Sequence, residues 1–553
     1  MANIAEYFRQ HLAAPDTVLY RQFGGDSWRD IPIAEIAALV GRWQAALGGL
    51  GLAQGDRVAL CLRNGVDWVA LDLAALGLGL VIVPLYVDDN PDNVSWCAAN
   101  AEARLLVVET TRMATALAQC GATLPPMYVL RPDAGDSTPT VAALLPASAA
   151  APQFRALPAD TLATICYTSG TSGRPKGVML SHGNIIANVE SCRETKMARQ
   201  TDTFLSILPL SHMFERTGGY YLPLSIGAKV VYARSVAQIA DDLAEQAPTA
   251  MFAVPRIFEK FLARVNQSLA ASPAKRWLFD QCVARGWRVE HGDASWFDTV
   301  ATPVLRSLVA KPIFARLGGR MRLTVVGGAA LDPVLAHTFI GLGLAMLQGY
   351  GMTEASPVIS VNLLDNNDPD SVGAPLPGVE IKLSPSGELF ARGGNVMRGY
   401  WRNSEATRES IDGDGWLHTG DVAEIRDGRI YIRGRVKDIM VMSNGEKLPP
   451  QDVEFALLHD PAFEQVMLIG EGRPFLTLLA VTKETNEQSL LKRANEQLKS
   501  FPRWVRIRRV IPMADPWSIE NGLLTPTLKL KRPLVLARFK AAVDTVYAAA
   551  SGS

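Results

Sequence analysis

The sequence lacks the features that mark secreted, zinc-binding or nucleic-acid-binding proteins. Its 553 residues include only six cysteines, none in a CxxC pair or in a Cys/His cluster with zinc spacing. Basic and acidic residues number 55 each, a balance that argues against a general nucleic-acid binder. The N-terminal residues, MANIAEYFRQHLAAPDT, do not have the basic-then-apolar pattern of a signal peptide. These absences predict a cytoplasmic protein with reduced thiols.

Long hydrophobic runs are also missing. The longest, Leu73–Tyr86 (LAALGLGLVIVPLY), is shorter than the roughly 20 residues of a membrane span. It is flanked by Asp67, Asp72, Asp88 and Asp89. We therefore predict a buried helix–strand pair here, and any membrane association would be peripheral.

The chain is long enough for two or more domains. Near the N-terminus, helical patterns such as Ile33–Leu50 alternate with extended ones such as Asp56–Leu62. This alternation predicts an α/β architecture with largely parallel sheets flanked by helices. The segment Arg131–Ala156 is rich in Ala, Pro, Ser and Thr, and we interpret it as a surface loop ahead of the strand Leu162–Tyr167.

The pattern of apolar and turn residues changes from Gly378 onward. The short alternating segments VEIKL, GELFARG and GRIYIRG are separated by turn residues and predict β-hairpins. After Arg435 a compact α/β pattern follows. We predict an N-terminal region over residues 1–434 that ends in a β-rich subdomain, and a small α+β C-terminal domain over residues 435–553.

The loop Tyr167–Gly177 (YTSGTSGRPKG) follows an apolar strand and has the composition of a phosphate-binding nest. Its glycines permit close approach of the backbone to a ligand, its hydroxyl and N–H groups donate hydrogen bonds, and its lysine adds positive charge. The residues expected to contact phosphate are Thr168, Ser169, Gly170, Thr171, Ser172, Gly173 and Lys176. A Walker A loop is excluded, because Lys176 lies between a proline and a glycine. The alternative, a Gly/Ser linker, seldom follows a buried strand.

Three further segments combine turn glycines with polar groups. Val325–Leu331 (VVGGAAL) indicates a strand and a turn that can lie flat against a planar ligand, although such turns are also common structural features. Gln348–Glu354 (QGYGMTE) ends in a carboxylate, which beside a triphosphate makes sense chiefly as a Mg²⁺ ligand; the alternative is an exposed turn. In Trp416–Val422 (WLHTGDV), Asp421 could accept hydrogen bonds from both ribose hydroxyls.

Together these motifs resemble the acyl-adenylate-forming enzymes, which include acyl-CoA synthetases, luciferases and nonribosomal peptide adenylation domains. The loop is similar to that family's signature nearly letter for letter, and the other motifs follow in the family's order from about residue 30 to 532. The resemblance implies a carboxylic acid as substrate, ATP and coenzyme A as co-substrates, Mg²⁺ as cofactor, and a mobile C-terminal domain.

The resemblance also implies roles for individual residues of the N-terminal region. Those expected to hold adenine, the α-phosphate or the acyl group are Gly328, Ala329, Gln348, Gly349, Tyr350, Gly351, Met352 and Thr353. Mg²⁺ would be bound by Thr168 and Glu354, and Glu354 and Lys176 would also take part in catalysis. Ribose would be bound by Asp421 with Arg435.

The remaining implied roles fall in the C-terminal domain. Lys437 would be the hinge, and Gly445 and Glu446 would border the thiol tunnel, unless Gly445 only turns a hairpin. The catalytic lysine would be Lys529 in the segment LLTPTLKLKR, with Lys531 as the rival assignment.

The segment Leu208–Arg216 (LPLSHMFER) resembles long-chain acyl-CoA synthetases, as does the form TPTLKLKR. The resemblance implies an acyl pocket gated by His212 and Phe214 and bordered by Gly328; the alternative for His212 is a structural histidine. We therefore predict that a medium- to long-chain fatty acid is converted to acyl-AMP and then to acyl-CoA, with release of AMP and pyrophosphate. The alternatives are an acyl-AMP ligase that serves a carrier protein, a β-lactone-forming enzyme of olefin biosynthesis, and a catalytically silent binding protein.

Positive charge accumulates toward the C-terminus. Between Glu487 and Lys540 there are twelve Lys/Arg residues and four acidic ones. This pattern indicates either a solvated basic face or a surface that attracts coenzyme A phosphates or anionic lipid. We expect a cytoplasmic enzyme without a nucleic-acid partner, and the sequence leaves open a homodimer and a contact of the C-terminal domain with the inner face of the membrane.

Overall fold

The computed structural model describes residues 3–168, 174–436, 439–518, 521–524 and 530–551. Within them, the first large sheet has nine strands, six of which run parallel, from Met346–Gly351 to Val18–Phe23. In spatial order the strands are Ala374–Pro375, Val358–Val361, Met346–Gly351, Leu323–Val326, Ala250–Ala253, Thr203–Ser206, Lys229–Tyr232, Val18–Phe23 and Trp28–Pro32.

The second large sheet has seven strands, of which the last five in spatial order run parallel. Its strands are Gly399–Tyr400, Lys176–Ser181, Leu162–Thr168, Val81–Pro84, Arg57–Cys61, Leu105–Thr110 and Met127–Arg131. The four inner parallel strands are mostly apolar and buried, as expected for a sheet covered on both faces, whereas the edge strand Met127–Arg131 is only partly buried.

A four-stranded antiparallel sheet forms the β-rich subdomain, with strands Val379–Leu383, Glu388–Gly393, Leu417–Arg426 and Arg429–Arg435. The C-terminal part contains the hairpin Met440–Val441 and Lys447–Leu448, and a mixed sheet of Gln465–Ile469, Leu476–Val481 and Ile507–Met513. The predicted fold class is confirmed, whereas the limits 1–434 and 435–553 stay a prediction.

Helices cover the sheets of both parts. The longer ones are Ile33–Gly49, Val66–Gly77, Pro91–Asn100, His182–Glu194, Pro255–Leu269, Pro273–Glu290, Trp296–Leu305, Pro333–Leu342, Glu487–Gln497 and Lys540–Ser551. The shorter ones are Glu6–Arg9, Thr111–Ala118, Val141–Leu144, Met213–Glu215, Leu222–Ile226, Ile239–Gln246, Lys311–Ala315, Ser404–Ser410, Pro450–Leu458 and Arg532–Arg538. The predicted loop Arg131–Ala156 is thus wrong at Val141–Leu144, where the Thr140 side chain accepts a hydrogen bond from the Ala143 N–H and nucleates a helical turn.

The longest apolar run forms the end of one buried helix and the following buried strand, as predicted. Helix Val66–Gly77 leads through a short turn to strand Val81–Pro84, and every residue of both is buried except Asp67, which is half-buried. Among the residues described, we find no helix with the length and hydropathy of a membrane span.

A buried ion pair links this helix to the segment LPLSHMFER. Arg216 donates to Asp72 across 3.0 Å, and both side chains are fully buried. Arg216 also donates to Thr164 Oγ1 across 3.0 Å, on the strand that leads into the phosphate loop. Tyr220 and Tyr221 donate to the same carboxylate. The network therefore joins the predicted acyl-pocket segment to the predicted phosphate loop through a fully desolvated contact.

Candidate functional site

The phosphate loop connects two antiparallel strands at the edge of the seven-stranded sheet. Thr168 pairs with Lys176, and the Thr168 hydroxyl group donates to the Lys176 carbonyl oxygen across 3.4 Å. The predicted phosphate contacts Ser169, Gly170, Thr171, Ser172 and Gly173 lie outside the described residues. The returning strand leads to Ser181, which caps helix His182–Glu194 in a capping box with Asn184. Thr168 and Lys176 therefore flank the predicted loop at its two ends.

Glu354 is connected to this loop by a tyrosine that the sequence analysis missed. The carboxylate is buried and accepts a hydrogen bond from the Tyr400 hydroxyl group across 2.8 Å. Tyr400 pairs with Val178 on the returning strand, and Lys176 Nζ lies 5.1 Å from the centroid of its ring. Burial and the Glu354 carboxylate raise the pKa of Tyr400, so the hydroxyl group stays a donor at neutral pH. A tyrosine in the segment RGYW has no sequence signature, and only strand pairing reveals its position.

Two glycine-containing turns lie at the ends of neighbouring parallel strands. Strand Leu323–Val326 pairs with Met346–Gly351, with Val326 opposite Gln348. Gly328 has φ +77°, in the left-handed region that favours glycine, and it is exposed together with Ala329 and Ala330. Ligands of α/β sheets bind where the carboxyl ends of strands meet. The structure thus places the two predicted adenine segments side by side at such an edge.

The predicted ribose aspartate faces the second of these turns. Asp421 is buried and lies opposite Arg435 in the antiparallel sheet. It accepts from the Tyr350 hydroxyl group across 2.6 Å and from Arg435 Nε across 3.1 Å. Burial and the Asp421 carboxylate raise the pKa of Tyr350. Two carboxylate oxygens offer about four acceptor positions, so these bonds orient Asp421 and still permit ribose contacts.

The three predicted acyl-pocket residues also come together. His212 caps the short helix Met213–Glu215, and its Nδ1 accepts from the Phe214 N–H across 3.2 Å. The Phe214 ring meets Phe252 edge-on, with ring centroids 5.6 Å apart. A Cβ atom at Gly327 would lie 3.1 Å from Phe214 Cζ, so this ring packs directly beside the Gly327–Gly328 turn. This helix cap is a structural role for His212, which is the alternative to the gating role.

The C-terminal part contributes a tight turn and a contact with the N-terminal part. Gly445 has φ +84° and lies with Glu446 in the exposed turn of the hairpin, where the Met442 N–H donates to the Glu446 carbonyl oxygen across 2.9 Å. His459 Nε2 lies 2.6 Å from Asp332 Oδ2, and Asp332 caps helix Pro333–Leu342 directly after the glycine turn. The Asp332 carboxylate raises the pKa of His459.

Of the two candidates for the catalytic lysine, Lys531 lies within the described residues. Lys437 and Lys529 lie outside the described residues. Lys531 precedes helix Arg532–Arg538, and its backbone N–H donates to the Leu523 carbonyl oxygen across 2.9 Å. The next residue, Arg532, makes two 2.8 Å hydrogen bonds with Glu454.

The residues present fit a Mg²⁺ ion that arrives with a nucleotide. Within the described part of the chain, no group of three or more His, Cys, Asp or Glu side chains could hold a metal ion alone. Proteins usually bind Mg²⁺ through one or two carboxylates together with substrate phosphates. Glu354, oriented by Tyr400 beside the phosphate loop, offers such a carboxylate.

The site has the arrangement expected of a nucleotide-using enzyme of the α/β class: glycine turns at strand ends, a buried carboxylate beside the predicted phosphate loop, and an oriented aspartate. A family model described as AMP-binding enzyme matches residues 8–401, and one described as AMP-binding enzyme C-terminal domain matches residues 437–551. The chain belongs to the AMP-binding enzyme family and is an acyl-adenylate-forming ligase. The family predicted from the motifs is confirmed.

Similar proteins match most or nearly all of the chain. A long-chain-fatty-acid–CoA ligase, FadD15, of Mycobacterium bovis is 30% identical, and the match covers 98% of this chain and 96% of that protein. A chloroplastic long-chain-fatty-acid–[acyl-carrier-protein] ligase, AEE15, of Arabidopsis thaliana is 29% identical over 70% of this chain and 62% of its own length. The crystal structure of ATP-bound MatB from Rhodopseudomonas palustris superposes with a TM-score of 0.75 at 25% identity, covering 98% of this chain and 99% of that one.

Proposed function

We propose that this chain activates a medium- to long-chain fatty acid with MgATP and transfers the acyl group to coenzyme A. One observation carries the proposal: Tyr350 and Glu354, four residues apart, connect Asp421 on one side with Tyr400 and Lys176 on the other. A single short segment thereby joins the proposed ribose ligand to the proposed phosphate loop. The similarity to the mycobacterial fatty-acid ligase supports the choice of substrate.

In the proposed first step the fatty-acid carboxylate attacks the α-phosphorus of ATP, and pyrophosphate leaves. The carboxylate is ionised at neutral pH, so no general base is required. Lys176 and the loop after Thr168 hold the departing phosphates, and Glu354 would hold Mg²⁺, which offsets phosphate charge when bound. Asp421 and Arg435 orient the ribose. Catalysis then consists of positioning and charge neutralisation.

In the proposed second step the coenzyme A thiol displaces AMP from the acyl-adenylate. His212, Phe214 and Gly328 border the acyl chain, and Gly445 and Glu446 border the thiol path. The C-terminal domain, residues 435–553, would turn about Lys437 between the two steps and withdraw Lys529, as a gating motion. The same proposal includes a cytoplasmic location, a homodimer, and a contact of the basic C-terminal domain with the membrane.

Lys529→Ala tests whether Lys529 acts in the first step and not in the second. Lys531→Ala is the matched control. Fatty-acid-dependent pyrophosphate release should collapse in Lys529→Ala, while thioester formation from supplied acyl-adenylate should persist. Lys531→Ala should retain both activities. Loss of both activities in Lys529→Ala would contradict the two-step assignment, and the reverse pattern would move the catalytic role to Lys531.

A second acceptor is suggested by the similarity to the chloroplastic acyl-carrier-protein ligase. The acyl-adenylate would then pass to the phosphopantetheine thiol of a carrier protein. The two acceptors are separated by measuring acyl-CoA formed per AMP released: equal amounts indicate coenzyme A, and acyl-AMP that accumulates in the presence of coenzyme A indicates a carrier protein.

A further inference from the structure

One helix of the N-terminal part presents an apolar stripe to solvent. On helix Trp296–Leu305 and the π-helical turn Arg306–Ala310 that continues it, apolar side chains recur at every fourth position and are 58–79% exposed. They are Trp296, Val300, Val304 and Leu308. Phe297, also exposed, extends the stripe at its N-terminal end and packs edge-on against Trp296. Four residues span about 6 Å of helix, so the stripe is about 18 Å long.

The opposite face of this helix faces the protein, and two polar residues lie on it. Asp298 is buried and accepts hydrogen bonds from Arg285 across 2.9 Å and from Arg288 across 2.7 Å. Thr302 is also buried. A residue two positions further along a helix points about 200° away, so Asp298 and Thr302 lie opposite the stripe. Surface helices of globular proteins normally turn their apolar face inward and their polar face outward. On this helix Leu305, Val309 and Ala310 do pack inward, but the outward face is apolar as well and is exposed to solvent.

Positive charge is concentrated in the chain segment that carries the stripe. The segment 273–320 contains eight Lys/Arg residues and four acidic ones. Three of the acidic residues, Asp280, Glu290 and Asp298, are already neutralised by arginines of the same segment. The exposed cations that form no salt bridge with any described residue are Lys275, Lys311, Arg316 and Arg320. The face therefore carries a positive charge that an anionic surface would complement.

The helix that carries the stripe is fixed to the N-terminal core through neighbouring helices. Helix Pro273–Glu290 packs tightly on Pro333–Leu342: a Cβ atom at Gly286 would lie 1.8 Å from the Gly341 carbonyl oxygen. Arg306 donates to the same carbonyl oxygen across 3.2 Å.

We propose that this stripe docks on an anionic lipid bilayer, with Trp296, Val300, Val304 and Leu308 inserted at the headgroup level. An apolar stripe with an aromatic residue at one end and cations beside it is the composition of helices that lie in a membrane interface. Unpaired Lys and Arg near the surface add attraction to anionic headgroups. This docking surface differs from the basic C-terminal region that the sequence indicated. Only the reason for docking rests on the proposed function: a fatty-acid substrate partitions into membranes, so an enzyme that uses it would benefit from binding there.

The test is co-sedimentation of the full-length protein with phosphatidylcholine/phosphatidylglycerol vesicles, without substrates. Val300→Glu combined with Val304→Glu should lower the partition coefficient roughly tenfold or more, because two carboxylates replace inserted apolar groups. Val236→Glu is the matched control, at a valine exposed to 78% elsewhere, and should bind like wild type. Lys311→Gln with Arg316→Gln should weaken binding to the mixed vesicles and leave the weaker binding to pure phosphatidylcholine unchanged.

Equal binding by wild type and the Val300/Val304 variant, or no binding by wild type, would overturn the proposal. Sedimentation velocity compares the oligomeric state of wild type and variant. A wild type that is a dimer and a variant that is a monomer would also overturn the proposal, because the stripe would then be a contact between two copies of the chain. If the double variant does not fold, Leu308→Gln replaces it. AMP release with a water-soluble fatty acid should be unchanged in the variant, so a failure of the proposed reaction is seen separately from a failure of docking.

Discussion

Tyr400 donates the hydrogen of its hydroxyl group to Glu354 across 2.8 Å, while Lys176 Nζ lies 5.1 Å from the centroid of the same ring. The tyrosine belongs to a two-residue strand at the edge of the seven-stranded sheet, and the glutamate follows a strand of the nine-stranded sheet. One side chain therefore connects the two large sheets where the predicted phosphate loop ends. In the proposed reaction it holds the carboxylate that would bind Mg²⁺ in a fixed orientation.

We expect Tyr400→Phe to lower the rate of acyl-adenylate formation about tenfold, since one hydrogen bond to a charged group contributes roughly 1.5 kcal/mol or more. Glu354→Gln should lower it much further and raise the Mg²⁺ concentration for half-maximal rate. The measurement is pyrophosphate release across a Mg²⁺ titration. Tyr431→Phe, at a tyrosine that contacts Asp368 in the β-rich subdomain, is the matched control and should leave the Mg²⁺ dependence unchanged. An unaltered Mg²⁺ dependence in Glu354→Gln would contradict the role of this carboxylate.

Two glycines of the segment QGYGMTE differ in the space around them. A Cβ atom at Gly351 would lie 1.9 Å from the Pro357 carbonyl oxygen, whereas one at Gly349 would lie 3.6 Å from its nearest neighbours. Gly351→Ala should therefore destabilise the fold by roughly 2–3 kcal/mol or more, because the backbone must shift. Gly349→Ala should cost much less. Urea unfolding of both variants checks this, and equal midpoints would show that the close approach at Gly351 is absent.

Most of the fold could be predicted from local pattern. The helix expected at Ile33–Leu50 is observed at Ile33–Gly49, and the strand expected at Asp56–Leu62 is observed at Arg57–Cys61. Apolar periodicity decides such elements, because one face of each must be buried. The turn Val141–Leu144 was missed because a single capping threonine nucleates it within a segment that has no periodicity.

The site could be predicted only where residues are close in sequence. The loop, the two glycine turns and Asp421 stand in recognisable local motifs. Tyr400, Thr164 and Asp72 were missed as contributors, because their contacts join residues that are 46, 52 and 144 positions apart. Nothing in a local pattern indicates that a tyrosine in RGYW meets Glu354. Pairing between strands and packing between sheets decide those contacts.

The contact between His459 and Asp332 makes stability depend on pH. The pKa of His459 is raised above its unfolded value of about 6.5, so the ion pair stabilises the fold fully below that pH. The contribution disappears as the pH rises through the folded pKa. We expect His459→Gln to lower Tm at pH 6 and to have little effect at pH 9, as measured by calorimetry. His291→Gln is the comparison, at an exposed histidine that stacks on Trp287 and forms no salt bridge with any described residue. A Tm difference that stays the same at both pH values would contradict the ion pair.

Glu215 gives a pH dependence of the same sign, from a buried carboxyl group. It is buried in the segment LPLSHMFER, and burial raises its pKa to about 8. The folded state then binds one more proton than the unfolded state between about pH 4.5 and 8, so the free energy of unfolding falls as pH rises through that range. Glu215→Gln should remove this dependence and stabilise the fold relative to wild type at pH 9 more than at pH 6. Urea midpoints at the two pH values measure it, and parallel shifts would show that Glu215 is ionised in the folded protein.

The central claim is that this chain forms a fatty acyl-adenylate, and ATP–pyrophosphate exchange without coenzyme A tests it most directly. The assay compares decanoate and palmitate with benzoate, malonate and a set of amino acids, in the presence of Mg²⁺. The account predicts exchange that depends on a fatty acid and is lost in Glu354→Gln. Exchange that depends only on an aryl, dicarboxylic or amino acid, or exchange that needs no acid at all, would contradict it.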